Sequence, residues 1–562
     1  MKKRFDYSIV LILGIIIGIN VIFSYINWSI DLTQDKRYTL TTSTKKTLQK
    51  IDDIINVKLY LKGDYPPGIE SLEEKTNEML IQFKKLNTKL ILSSENIDEG
   101  SIDERQSRYD ALVKEGLAPT SLKVFDGKEF RQKVIFPYVV FQLGQRKVFV
   151  NLLEPQNPGQ DEQEVLQQSI SLLEYKFINA IQKLQLTRKR NIVFTAGHDE
   201  AALQNTISLE RDLRKWYNTG RVNLDSIVKI DSQVDIVIVA GPKSKFSDQS
   251  KFKLDQYIMN GGKVIWMIEK LTASLDSINK YQFYIPQDIE TGLDDLLFKY
   301  GAKVLPNLIL DLESTSIPQI VGQSGDKPQT MLFKWPYHPL VASKIDHPIV
   351  KNIDRVNLYF PSQVDTTATD LPVKKTILLS SSSYGRTQFS PVRLNFEILK
   401  QQPEAAQFNK PNIPIAILLE GEFTSAYKNR LTTEFRESLA SMNLSFRDKS
   451  QATKQLVIGD VHFALNIINP RTEQAEEIGF NKWEIQQYKG NKDFILNALE
   501  YMIDDSNVLE SRSKEIKLRP LDKVKLENEK TKWQVINLVA PLLILIFAYI
   551  AITYFRKRKY TM

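Results

Sequence analysis

The feature that most constrains this chain is a pair of uncharged apolar runs, one near each end. Residues 7–26 (YSIVLILGIIIGINVIFSYI) and 533–555 (WQVINLVAPLLILIFAYIAITYF) carry no charged side chain. About 20 such residues, wound at about 1.5 Å each, cross the hydrocarbon core of a bilayer. Everything between them must therefore fold from one membrane crossing to another. Lys2, Lys3 and Arg4 precede the first run, and Arg556, Lys557, Arg558 and Lys559 follow the second. Basic flanks stay on the cytoplasmic side, and Trp533 and Tyr554 stand where interfacial aromatics collect. Both tips are thus expected in the cytoplasm of a bacterium, and the bulk of the chain in the periplasm, held at the inner membrane. The first run is too long for a secretory signal, and residues 22–30 (IFSYINWSI) offer no small-residue cleavage site, so it is expected to remain as an anchor.

Charge adds little beyond this. The formal net charge is +8, and seven basic residues are those at the two tips, so the body is close to neutral. No basic run with interleaved aromatics lies between the apolar segments, which leaves nucleic acid out of the expected partners and membrane lipid in. The chain has no cysteine. That removes disulfides, thiol nucleophiles, zinc-thiolate sites and the C-x-x-C redox motif in one step.

A total length of 562 residues leaves room for two or more domains between the apolar runs. Residues 56–61 (NVKLYL) alternate like a strand, Ile69, Leu72, Thr76, Met79, Leu80 and Phe83 recur at helical steps, and 89–93 (KLILS) returns as a strand. A hairpin is expected over 136–143 and 147–152, then an amphipathic helix through Leu166, Ile170, Leu173, Phe177, Ile181 and Leu184. A second region opens on 191–195 (NIVFT) and continues with 235–240 (DIVIVA), a helix, and 263–268 (KVIWMI). Strand and helix alternate there, which predicts a parallel sheet of Rossmann-like or amidotransferase-like form. The expected division is a cytoplasmic tip at 1–6, a membrane helix at 7–26, an N-terminal periplasmic α/β domain at 27–187, a second α/β domain at 188–487, a helix and connector at 488–532, a membrane helix at 533–555 and a tip at 556–562. The fold class is therefore α/β, with two transmembrane helices flanking the periplasmic region.

Motifs for chemistry are sparse. No G-x-x-x-x-G-K-[ST] phosphate cradle occurs. Gly261, Gly262 and Lys263 follow a helix and precede a strand, the reverse of a phosphate loop, and are expected to cap the helix. Gly197, His198, Asp199 and Glu200 leave the end of one strand and Gly241 the end of another, the place where open α/β sheets hold ligands. These five residues are the candidate ligand loop. The four histidines, His198, His338, His347 and His462, show no H-E-x-x-H spacing, so no metal or cofactor is expected. An amidotransferase-like scaffold here would lack its cysteine nucleophile, and no catalytic residue is assigned. Gly14 and Gly18 form G-x-x-x-G in the first apolar run, a spacing that lets membrane helices pack closely.

Residues 488–522 (YKGNKDFILNALEYMIDDSNVLESRSKEIKLRPLD), with the following helix and its FRKRKY end, resemble the GldG family of gliding-motility-associated ABC transporter auxiliary proteins. DLTQDKRYTL (31–40), TAGHDE (195–200), HPIVKNIDRV (347–356) and ILLEGEFTSAYKNR (417–430) agree with it. One departure stands at Ile268 and Glu269, where related auxiliary domains often carry an acidic-proline turn. The resemblance implies a non-catalytic auxiliary subunit that joins a cytoplasmic ATPase subunit and a multispanning permease subunit to a periplasmic domain. The alternative is a membrane-tethered solute-binding receptor.

Overall fold

The computed structural model describes residues 39–560 except 126–129, 155–160, 187, 282, 325–326, 352, 401–403, 433–435, 438, 440, 442–445, 505–510 and 512–522. The first apolar run, with Gly14 and Gly18, lies outside the described residues. The described residues within Thr39–Lys514 form one compact unit, and those after Glu515 belong to a second. The described part of the second is a helix, Lys523–Tyr560. Within it, Thr531–Phe555 is long and apolar enough to cross a membrane, and large side chains such as Leu538 and Phe547 are exposed.

The large unit is mixed α/β. Its first sheet contains β1 (Ile55–Leu59), β2 (Leu90–Ser94), β3 (Tyr138–Leu143) and β4 (Arg146–Asn151), in the order β2-β1-β3-β4. The β1 and β2 strands run parallel, joined by α1 (Pro67–Leu86), while β3 runs antiparallel to β1. Parallel neighbours need a crossover, and the apolar stripe of α1 supplies it. Val57, Phe83, Phe141, Phe177 and Ile181 share the core of this layer, which α2 (Leu173–Gln185) closes from one side. The amphipathic helix expected through Leu166 to Leu184 is two pieces, Glu162–Ser171 and α2.

The second sheet has seven strands: β5 (Asn191–Ala196), β6 (Asn218–Asn223), β7 (Val234–Ala240), β8 (Lys263–Met267), β9 (Val373–Ser380), β10 (Pro414–Gly421) and β11 (Thr453–Ile458). Their order is β9-β10-β11-β8-β7-β5-β6. Five are parallel, but β10 runs antiparallel to β11, and β9 antiparallel to β10. The expected parallel sheet is thus mixed, because one strand near its edge, β10, runs against both of its neighbours.

Strand sequences such as DIVIVA are apolar throughout because both faces are covered. Ile236, Ile238, Ala240, Ile265 and Met267 enter one core, beneath α3 (Leu203–Arg214) and α5 (Lys489–Ile503). Val237, Val239, Val264, Trp266 and Ile268 enter the other, beneath α4 (Asp248–Met259). Ser247 caps α4 by accepting from Ser250 N at 3.1 Å, and Gly262 N closes its far end on Tyr257 O at 2.9 Å. The Gly-Gly-Lys run is therefore a helix exit. Between β8 and β9 the chain inserts a long hairpin, Ser314–Ser324 with Lys327–Val341. It packs over its own apolar cluster, which includes Leu310, Ile317, Trp335 and Tyr337.

Candidate functional site

From β5 the chain moves outward to β6, then returns to β7 on the opposite side and proceeds to β8. Loops leaving the carboxyl ends of β5 and β7 consequently diverge, and the crevice at such a switch point is where open α/β sheets bind ligands. A cavity of about 500 Å3 opens there. Its floor is built by four strand exits: Asp199 and Glu200 after β5, Gly241 and Lys243 after β7, Glu269 after β8, and His462 after β11. The insertion supplies His338, Tyr359 and Phe360 as a wall, and Trp483 faces them from the segment that follows β11.

Glu269, Asp460 and His462 converge on this floor. His462 Nδ1 lies 2.5 Å from Glu269 Oε1 and 3.9 Å from Asp460 Oδ1. Asp460 is fully buried and is held by Tyr359 N at 2.8 Å and His462 N at 2.7 Å, which both donate to it. Burial pushes its carboxyl up to about 7, although the His462 charge opposes that rise. Burial pulls the His462 imidazole down, but the Glu269 carboxylate outweighs it and holds the ring at about 9. The His462 ring is 47% exposed, and it lines the cavity. His338 is the opposite case. It is fully buried, and burial holds it well below the usual imidazole range, so it is neutral. Its ring meets Tyr359 and Phe360 edge-on and tilts against Trp483 at 5.3 Å, and neither nitrogen has a hydrogen-bond partner among the described residues.

Of the candidate loop residues, Asp199, Glu200 and Gly241 line the cavity, while Gly197 and His198 are not among its lining. His198 is buried, stacked on Phe246 with 3.7 Å between ring centroids. Its carbonyl oxygen accepts from Lys243 N at 2.9 Å and Ser244 N at 3.1 Å, fastening the β5 exit to the β7 exit. Gly241 sits at φ +60°, and a Cβ there would come within 2.8 Å of Val461 Cγ1. Only glycine satisfies both demands at no cost. Motif spacing missed Glu269, His338, Asp460 and His462 because Glu269 and His462 are 193 residues apart. The signal that could have found three of them is position, since Glu269, Asp460 and His462 each follow the end of a parallel strand within a few residues.

Comparison with known proteins settles the family. The family described as an ABC-type uncharacterized transport system, the ABC transporter auxiliary family, matches residues 189–498, more than half of the chain. The chain belongs to this auxiliary family. Its matched region contains the whole seven-stranded sheet and all of the cavity's floor. An accessory role beside an ABC-type transport complex follows from that membership. Residues 34–142 match a domain of unknown function, DUF7088. An uncharacterized protein of Borreliella burgdorferi is 22% identical over 460 residues, covering 78% of this chain and 82% of that protein. Among solved structures, the mmIFT52 N-terminal domain is similar over 58% of this chain and 100% of its own length, at 15% identity and a TM-score of 0.30.

Proposed function

We propose that this chain is a non-catalytic, membrane-anchored auxiliary subunit of a gliding-motility-type ABC complex, of the GldG kind. It joins a cytoplasmic ATPase subunit and a multispanning permease subunit to a large periplasmic domain at the bacterial inner membrane. The observation that carries this reading is the auxiliary-family match over residues 189–498. The apolar stretch Thr531–Phe555, followed by Arg556, Lys557, Arg558 and Lys559, supports an anchor with a cytoplasmic end. Lack of a phosphate-binding motif fits a partner of the ATPase. Mild detergent extraction of the tagged chain, with mass spectrometry of what co-purifies, tests this. An ABC ATPase and a polytopic permease in stable stoichiometry are expected, and recovery of the chain without either overturns the reading.

A membrane-tethered solute receptor is the second reading, favoured by the cavity at the switch point with its charged floor and aromatic walls. A screen of small solutes for a raised unfolding temperature separates the two, because a receptor gains stability on binding its solute.

A further inference from the structure

We infer that Glu269, Asp460 and His462 form a binding site for a divalent transition-metal ion, opening onto the cavity beside His338. Two carboxylates and one imidazole are a donor set that suits Zn2+ or Mn2+, whereas Mg2+ and Ca2+ prefer oxygen alone. One ligand atom from each of the three residues lies within 4.8 Å of the others. Ligand atoms held about 2.0–2.2 Å from a tetrahedral ion stand about 3.4 Å apart, so shifts of about 1 Å complete the arrangement.

Binding the ion releases to solvent the proton that His462 Nδ1 shares with Glu269 Oε1, and the fold already holds the carboxylates close by. Both backbone amides that hold Asp460, those of Tyr359 and His462, leave lone pairs on its carboxylate for an ion. Glu269 and Asp460 belong to the exits of adjacent parallel strands, β8 and β11, so the sheet itself sets their separation. Three protein ligands leave one position open toward the cavity, the arrangement of a site that holds water or a ligand rather than a sealed structural one. His338 supplies the independent observation. It is a fully buried polar side chain on the same cavity wall, and both of its ring nitrogens are without a hydrogen-bond partner among the described residues. Buried polar groups in native proteins are satisfied as a rule. A group carried on the ion's open position would satisfy this one.

The site goes beyond the accessory role and does not depend on it. To test it, the full-length protein in detergent is stripped with EDTA and dialysed against Zn2+, Mn2+ or Mg2+, and bound metal is measured by mass spectrometry. One Zn2+ per chain is expected, with Mn2+ weaker and Mg2+ not retained. Glu269→Gln and His462→Gln should each weaken Zn2+ binding at least 100-fold, and His338→Phe about 10-fold. Circular dichroism should show each variant folded without metal. If one variant fails to fold, X-ray absorption at the zinc edge of the wild-type protein decides the matter, since a first shell of one imidazole nitrogen with oxygens is expected. Zn2+ retained at wild-type affinity by folded Glu269→Gln and His462→Gln proteins, a shell of different composition, or no binding by the wild type overturns the proposal.

Discussion

Tyr175 Oη donates to Glu500 Oε2 at 2.5 Å, across 325 residues of chain. Asn179 Nδ2 reaches the same oxygen at 3.1 Å, and Lys183 Nζ lies 3.2 Å from the other carboxylate oxygen. All three donors stand on α2, and Glu500 stands on α5. One carboxylate thus holds the N-terminal layer to the helix that covers the second sheet. Replacing it removes the one carboxylate that all three donors share. Glu500→Ala should cost about 2–3 kcal/mol, read as a lower midpoint in denaturant unfolding.

The same carboxylate makes stability depend on pH. Burial raises its pKa, but the Lys183 charge and the bonds from Tyr175, Lys183 and Asn179 outweigh burial and hold it below its ordinary 4.5. A depressed carboxylate contributes stability that is complete above its unfolded pKa and is lost as pH falls through the folded one. The wild type should therefore lose stability between about pH 4.5 and lower values more steeply than Glu500→Gln. Parallel curves for the two proteins would contradict this.

Gly241→Ala places a Cβ against Val461 at a positive φ. A penalty of about 1–3 kcal/mol is expected. Because Gly241 and Val461 both line the cavity, crystallography of the variant should show the β11 exit displaced.

His198→Ala should destabilise the protein by about 2 kcal/mol through loss of its stacking on Phe246. Metal binding at the cavity should be unchanged, since His198 does not line it. Calorimetry with and without Zn2+ measures both.

Gly14→Ile with Gly18→Ile tests whether the first apolar run docks on a permease. Lipid offers no hydrophobic drive between helices, so close backbone approach supplies the attraction. Membrane insertion should persist, because isoleucine is more apolar, while recovery of the permease falls several-fold in pull-downs. Full recovery would place docking elsewhere.

Local pattern in the sequence was enough to find the β-α-β start of the first sheet and the strands at 191, 235 and 263, because period and apolar runs are short-range signals. The reversal of β10 was not legible. A buried strand such as IPIAILL has the same composition whichever way it runs, and its direction is set by connections that its own residues do not encode. Asp199, Glu200 and Gly241, singled out by their place after strands, line the cavity. Glu269, Asp460 and His462 were passed over because each is unremarkable alone, and only the register of β8 against β11 brings them together. The long hairpin went unread as well. Its Pro318, Pro328, Pro336 and Pro339 argue locally against a ladder, yet antiparallel pairing holds along it despite two register shifts.

The cavity has a floor from strand exits and a wall from the insertion between β8 and β9. These two parts answer to different constraints. Residues on the floor are tied to the sheet, whose two buried faces tolerate little change in spacing. His338, Tyr359 and Phe360 ride on a segment whose hairpin packs in a different apolar cluster, so the part of the wall farthest from the Tyr359–Asp460 bond is the part free to vary. A lineage of such proteins could keep one chemistry at the base while changing the shape of what is admitted above it, and a designer could do the same by grafting hairpins.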